Sequence, residues 1–330
     1  MTHQLTFPPT GRSTFGQFYS LLRTLTSIVL GVLLISFSTQ EVSAATITVT
    51  NSNSTGMGSL RQVIVDAPSG STIDFAPSLS GQTITLGGSE LLIDKLLTID
   101  GSSLSNGITI SGNGASRVMR VGSAGSATLR GLTIADGNTT TLNGAGIRNE
   151  GILNLIDSTI MDCSSGVRGG GLSNIGTALL ERSTVMNNTA TGLGAGISTQ
   201  TGPLTLTNST VSGNVGSDQG GGIYCFNSIS LIHTTISNNT GTYGGGIRVQ
   251  GSDLISFEKS IVAGNSGLSG FEDIWNGSTV ITSGGGNLIG RNTNASASFP
   301  AGLPNSNGDF VGSGASPLDP LLAALGDYGG

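Results

Sequence analysis

The chain has 330 residues, enough for a sizeable core, yet only 10% are charged and 54 are glycine, where ordinary globular domains carry about 25% charged residues. The glycine follows no Gly-X-Y period, which excludes collagen, and 36% hydrophobic content argues against disorder. A net charge of −6 with 13 Lys and Arg and no basic stripe argues against a nucleic-acid partner.

Arg12 and Arg23 flank the start of an apolar run from Leu25 to Phe37, and Val42-Ser43-Ala44 offers small residues for cleavage before Ala45. This predicts a signal peptide over 1–44. The run is shorter than the ~20 residues a membrane span needs, so the mature chain carries no transmembrane span. Export would make the protein secreted or cell-surface. The next element is a short helix over 58–67: Ser59 and Gln62 have capping-box spacing, and Leu60, Val63, Ile64 and Ala67 share one face. It would lie across the first coil of the repeat that follows.

The repeat is faint at Ile84-Thr85-Leu86 and Leu97-Thr98-Ile99, then becomes regular. Asn113, Asn138, Asn188, Asn214, Asn239 and Asn265 recur with Cys163 in the remaining place, at steps of 25, 25, 25, 26, 25 and 26 residues. A second series, Ile147, Leu172, Ile197, Ile223 and Ile247, follows Gly-Gly-Gly or Gly-Ala-Gly triplets in phase with the first. Each unit holds three short β-prone runs bounded by Gly, Ser or Asn. None has a helical period or the length of a βαβ crossover.

Three short strands in about 25 residues make one turn of a triangular coil. The predicted fold is all-β: a right-handed single-stranded parallel β-helix over 45–290, about eight to ten coils and on the order of 40–50 Å long. The aliphatic series would form an internal ladder. The Asn series would stack at a bend, each amide satisfying neighbouring backbone groups. Cys163 and Cys225 would sit roughly 14 Å apart along the axis, beyond the ~7 Å reach of a disulfide, and read as buried small residues. After Asn265 the period decays through Ser283–Ile289. The segment 291–330 reads as irregular, and Asp327-Tyr328-Gly329-Gly330 presents no cap, as in a chain cut short before an anchor.

Gly-Gly-x-Ile paired with Val185-Met-Asn-Asn188, Val211-Ser-Gly-Asn214 and Ile236-Ser-Asn-Asn239 is similar to the G-G-A-I and F-x-x-N repeats of chlamydial polymorphic outer-membrane proteins, with Ile or Val replacing Phe. Gly58-Ser59-Leu60-Arg61-Gln62 resembles the S-L-R-E-A-I segment that opens many bacterial secreted β-helix proteins. The closing Asp319-Pro320-Leu321-Leu322 looks like the D-P-x-L stretch that precedes a surface anchor in them. The resemblance implies a right-handed β-helix, export and a surface or extracellular role. It implies no catalytic residues.

The same fold hosts polysaccharide enzymes, whose sites need clustered acids, or acids with Ca²⁺ and a base, on one face. Column by column, no two adjacent carboxylates align: Asp157, Arg182, Asn208, His233 and Lys259 occupy one column, and Gly112, Gly137, Asp162, Asn187, Gly213, Asn238 and Gly264 another. Arg148 and Arg248 occupy equivalent positions four coils apart. Two ligand candidates remain. His233 is either a base or part of a solvated row. Glu272-Asp273 with Trp275 is either a sugar or Ca²⁺ site or the cover of the last coil. No motif calls for a cofactor, and no metal-ligand spacing is present. These features predict a non-catalytic β-helix with a structural, adhesive or glycan-contacting role, partnered by an extracellular polysaccharide or a cell-surface protein. The alternative is a polysaccharide lyase or glycoside hydrolase with a degenerate site.

Overall fold

A computed structural model describes residues 44–251, 254–267, 272–277, 280–323 and 325. The predicted signal peptide, apart from Ala44, and the closing Asp327–Gly330 lie outside these. The described residues form a parallel β-helix. Sheet A has ten strands from Thr46–Val49 to Ile281–Ser283, sheet B ten from Thr83–Thr85 to Phe310–Val311, and sheet C eight from Leu91–Ile93 to Ile274–Asn276. A fourth, short sheet D stacks the two-residue strands Asn138–Thr139, Ser164–Ser165, Thr189–Ala190 and Val215–Gly216 between B and C, beyond the three runs per coil read from the sequence. One coil runs through Ile152–Ile156 in A, Thr159–Met161 in B, Ser164–Ser165 in D and Leu172–Asn174 in C. Its strands pair in parallel with those one coil on. Ten strands at ~4.8 Å make a rod of roughly 45 Å.

Alternation drives the packing. In Leu204–Thr207 the burial pattern is buried, half-buried, buried, half-buried, as a strand with one inward face requires. The inward residues of sheet C are Leu91, Met119, Ile147, Leu172, Ile197, Ile223, Ile247 and Ile274, none more than 1% exposed. The predicted aliphatic ladder thus runs two coils further back and one further on. Ile110, Ile134, Ile160, Val185, Val211 and Ile236 form the matching ladder in sheet B.

Polar groups hold the corners. Where B turns toward D, Cys163 N donates to Asn188 Oδ1 at 3.0 Å, Asn188 N to Asn214 Oδ1 at 3.0 Å, Asn214 N to Asn239 Oδ1 at 3.1 Å and Asn239 N to Asn265 Oδ1 at 3.1 Å. The amide nitrogens donate to the next Oδ1 and to buried carbonyls such as Val185 O. The corner from A to B carries a hydroxyl column that sequence reading missed. Ser158 N donates to Ser183 Oγ, Ser183 N to Ser209 Oγ, Thr234 N to Ser260 Oγ and Ser260 N to Asn287 Oδ1, at 2.9–3.2 Å. At the start of sheet C, Gly144, Gly169, Gly194, Gly220 and Gly244 all lie between +61° and +70° in φ, where a Cβ is strained.

Asn113 and Asn138 do not join the ladder. Asn138 pairs with Ser164, so the residue opposite Cys163 is Gly137, whose N–H faces Cys163 Sγ at 3.4 Å. The coil step there is 26 residues in sheet B but 24 one coil earlier, so an even count of 25 lands one residue off. Both asparagines are exposed. Cys163 is buried with its thiol pushed up to about 12 by desolvation, and it is not joined to Cys225.

The ends are covered. Helix α1 (Leu60–Asp66) buries Leu60, Val63 and Ile64 over the first coils. Ser59 Oγ accepts from Gln62 N, but the Gln62 amide turns to Asp66 at 2.8–2.9 Å, so only half of the capping box forms. Lys95 Nζ donates to the last carbonyls, Val65 and Ala67. At the other end, the segment read as irregular from 291 onward folds back. Phe310–Val311 extends sheet B, and Phe299, fully buried, stacks on Phe257 at 5.6 Å. The β-helix therefore runs past 290 and has a cap.

The ladder separates its members sharply. Asn214→Ala should cost about 1–3 kcal/mol by leaving buried partners unsatisfied, whereas Asn138→Ala should change stability by less than ~0.5 kcal/mol. Urea denaturation of the two variants checks this.

Candidate functional site

A cleft of about 810 Å³ opens on the outer side of sheet C near the helical cap. Its floor is set by strand alternation. Met119, Val121, Ile147 and Asn149 point inward, so Arg120 and Arg148 between them point out, directly paired across neighbouring coils. Its wall is the turn 138–142 with Ser116 and Arg117, and the side toward the cap is Gly88-Ser89-Glu90.

Arg117 fastens the wall. It is 6% exposed, donates from Nε to Gly144 O and from Nη2 to Asn143 O at 2.8 Å, and pairs with Glu90. Glu150 joins the floor: Oε2 accepts from Arg120 Nη2 and Oε1 from Arg148 Nε, both at 2.6 Å. The hydrogen bond from Arg120 is the largest cause holding the Glu150 carboxyl below the usual carboxylate range, and Arg148 adds to it. Arg120 Nε is buried with no partner, as is Ser116 Oγ.

Arg120 escaped sequence reading because the step from Arg120 to Arg148 is 28 residues, outside the 25–26 period. The structure gives Arg148 a partner one coil away; its counterpart Arg248 lies four coils on, as read. Against the next step of 25, two of the extra residues lie in the turn 122–125 from C to A and one in the turn from D to C that walls the cleft.

A smaller hollow of about 330 Å³ adjoins the cleft through Gly114 and Asn138 and contains Asp136 and Asp162. These occupy one corner column on neighbouring coils, since Ala135 pairs with Met161 and Asn138 with Ser164. The expectation of no adjacent carboxylates is therefore corrected: the same one-residue offset that misplaced Asn138 had put Gly137 opposite Asp162. Burial first, then the charge of Asp136, raises the Asp162 carboxyl. Among the described residues no three His, Cys, Asp or Glu converge as a metal site would need.

The sequence candidates fall elsewhere. His233 is exposed in left-handed conformation (φ 48°) in the column of Asp157, Arg182, Asn208 and Lys259, on the A–B corner. Asp273 is the last member of the Asn ladder. It is 3% exposed, and its Oδ1 accepts from Asn265 N and Nδ2 at 3.1 and 2.9 Å, while Oδ2 accepts from Arg291 N at 2.8 Å. Glu272 faces Arg291 at 3.7 Å. Trp275 points out of sheet C, with the Arg248 guanidinium 3.5 Å from its ring centroid and Tyr243 at 4.8 Å. The three do not form one site, and Phe299 rather than Trp275 covers the core's end.

No family model matches the chain, and no curated protein matches it. Among solved structures, a mutant PL6 family alginate lyase aligns at 16% identity and a TM-score of 0.40, over 85% of this chain. The chain spans 38% of the length of that structure. At that TM-score the likeness carries no argument about activity.

Burial is the largest cause raising the Asp273 carboxyl above its ordinary value, opposed by its hydrogen bonds from Asn265 and Arg291. The folded chain then holds this proton to higher pH than the unfolded chain. The residue's contribution to stability is fully present below the unfolded pKa and is lost as pH rises through the raised folded value. Asp273→Asn should remove that part of the slope in urea unfolding followed across pH. It should also cost about 1–3 kcal/mol at neutral pH, because an amide cannot accept at both positions. Equal slopes in parent and variant would contradict the assignment.

Proposed function

We propose that this protein is an exported, non-catalytic β-helix that holds a polysaccharide in the cleft on sheet C. The observation that carries the reading is the outward pair Arg120 and Arg148, fixed on neighbouring strands of a rigid sheet and ringed by Ser89, Ser116 and Thr139 to Thr141. Guanidinium forks and hydroxyls are suited to the hydroxyl and acidic groups of a sugar chain. Strands one coil apart hold them ~4.8 Å from each other with no loop to order on binding.

Binding is favoured over turnover by the lining of the cleft. Acid–base catalysis works best with a group poised near the working pH. Glu150 is shifted away from that range, and no His, Cys, Lys, Tyr or Asp lines the cleft. The leader read at 1–44 supports secretion or surface display, and the repeat resemblance supports the same setting.

Native affinity electrophoresis of the full chain through gels holding different linear polysaccharides tests the proposal. At least one polymer should retard the protein, and incubation should release no fragments. Free migration in every gel would overturn glycan binding. Fragments would overturn the non-catalytic reading in favour of a lyase or hydrolase.

A further inference from the structure

We propose that the glycan is anionic and that Arg120 and Arg148 together receive one of its carboxylate or sulfate groups. This inference rests on the glycan-binding reading. Three guanidiniums, Arg117, Arg120 and Arg148, line the cleft against two carboxylates, Glu90 and Glu150. Arg117 is 6% exposed and each of its three nitrogens is already bonded, to Glu90 or to a backbone carbonyl. The surplus positive charge therefore belongs to Arg120 and Arg148, which share Glu150 alone.

One carboxylate cannot satisfy two forks. Glu150 gives each guanidinium a single oxygen, where a bidentate pair would use both on one arginine. The consequence is visible at Arg120, whose Nε is buried and unpartnered although Nη2 beside it is bonded. The rest of the guanidinium faces the cleft, since the Arg120 side chain is 39% exposed, and an oxyanion from solvent would reach it there. Glu150 then acts as a tether that holds the two arginines in position and competes with the incoming group.

The charge is also unusual for this chain. The protein carries a net −6 and has 13 Lys and Arg, two of them, Arg12 and Arg23, in the leader. Further along the same face Arg168 donates to Gln200 Oε1 at 3.3 Å and Arg248 to Gln219 Oε1 at 3.1 Å, both neutral partners. Arg248 is only 6% exposed against Trp275, so an acidic polymer leaving the cleft along the rod would meet Arg168 next.

The test is binding of the full-length protein to polygalacturonate, dextran sulfate and neutral dextran, followed by biolayer interferometry. Polygalacturonate or dextran sulfate should bind, and which of the two binds tells carboxylate from sulfate. Affinity should fall as salt rises from about 0.05 to 0.3 M. Arg120→Gln and Arg148→Gln should each weaken binding about tenfold, and the exposed Arg182→Gln, on the A–B corner, should leave it unchanged. Glu150→Gln should tighten it severalfold. A purely structural Glu150 would instead weaken it, so this variant separates the two roles even if an arginine variant fails to fold.

Binding of neutral dextran alone would overturn the anionic assignment and leave the glycan reading standing. Failure of all three polymers to bind would overturn the assignment, and the glycan reading falls with it only if the wider set of gels also fails. Unchanged binding in Arg120→Gln and Arg148→Gln, or weaker binding in Glu150→Gln, would overturn the assignment of the site.

Discussion

At two corners of the coil a backbone N–H turns inward, away from water, and a side-chain oxygen one coil further on accepts from it. Everything else in the molecule follows from meeting that demand repeatedly. A sheet satisfies its own backbone groups, but a corner does not, and a buried unpaired N–H costs about as much as a lost hydrogen bond. Asn meets the demand at one corner and Ser at another. At the turn from C to A the link between coils is side chain to side chain, Asn149 Nδ2 donating to Asn174 Oδ1 at 2.7 Å, and Asn149 Oδ1 accepts from Gly151 N of its own coil. Because each ladder bond joins successive coils, the ladders also set the register. The aliphatic columns then stack without slipping, and the outward side chains fall into straight rows.

Those rows turn a fold into a surface. Arg120 and Arg148 lie side by side because the residues flanking them belong to the core, and the turn that walls them in is tolerated because sheets A, B and C keep their parallel pairing on either side of it. An inserted residue inside a strand would flip a face, whereas one in a turn only changes the depth of a groove. The cleft is thus located where the repeat relaxes, at the 28-residue step, and in the regular coils beyond it the same row holds the small residues Ser173 and Ser198.

The architecture was legible because its signal is redundant. Glycine corners, inward aliphatics and four of the ladder asparagines each mark the same period. What escaped was whatever the period hides. Asn138 carries the right residue type one step out of phase, and the Ser column looked like strand propensity. Asp162 was set against Gly137 instead of Asp136 for the same reason. Arg120 lay beyond a longer turn. The candidates Glu272, Asp273 and Trp275 lie close in sequence, but Asp273 turns inward at the corner before the strand to end the Asn ladder, while Trp275 points out of the strand Ile274–Asn276 that follows.

The two main ladders both end in a carboxylate. Asn265 hands its bonds to Asp273, and Asn287 hands both its N–H and its amide to Asp309 Oδ1. A ladder of amides has a direction: each member accepts from the coil before and donates onward, so it could in principle grow without limit. A carboxylate accepts and has nothing to pass on. Placed at the last position, with its second oxygen already taken by Arg291 N or Ser283 Oγ, it closes the series chemically before the capping segment closes it sterically. A second rod laid end to end would find neither ladder offering it a side-chain donor, and in this respect the terminal aspartates guard a stack of edges against becoming a fibre.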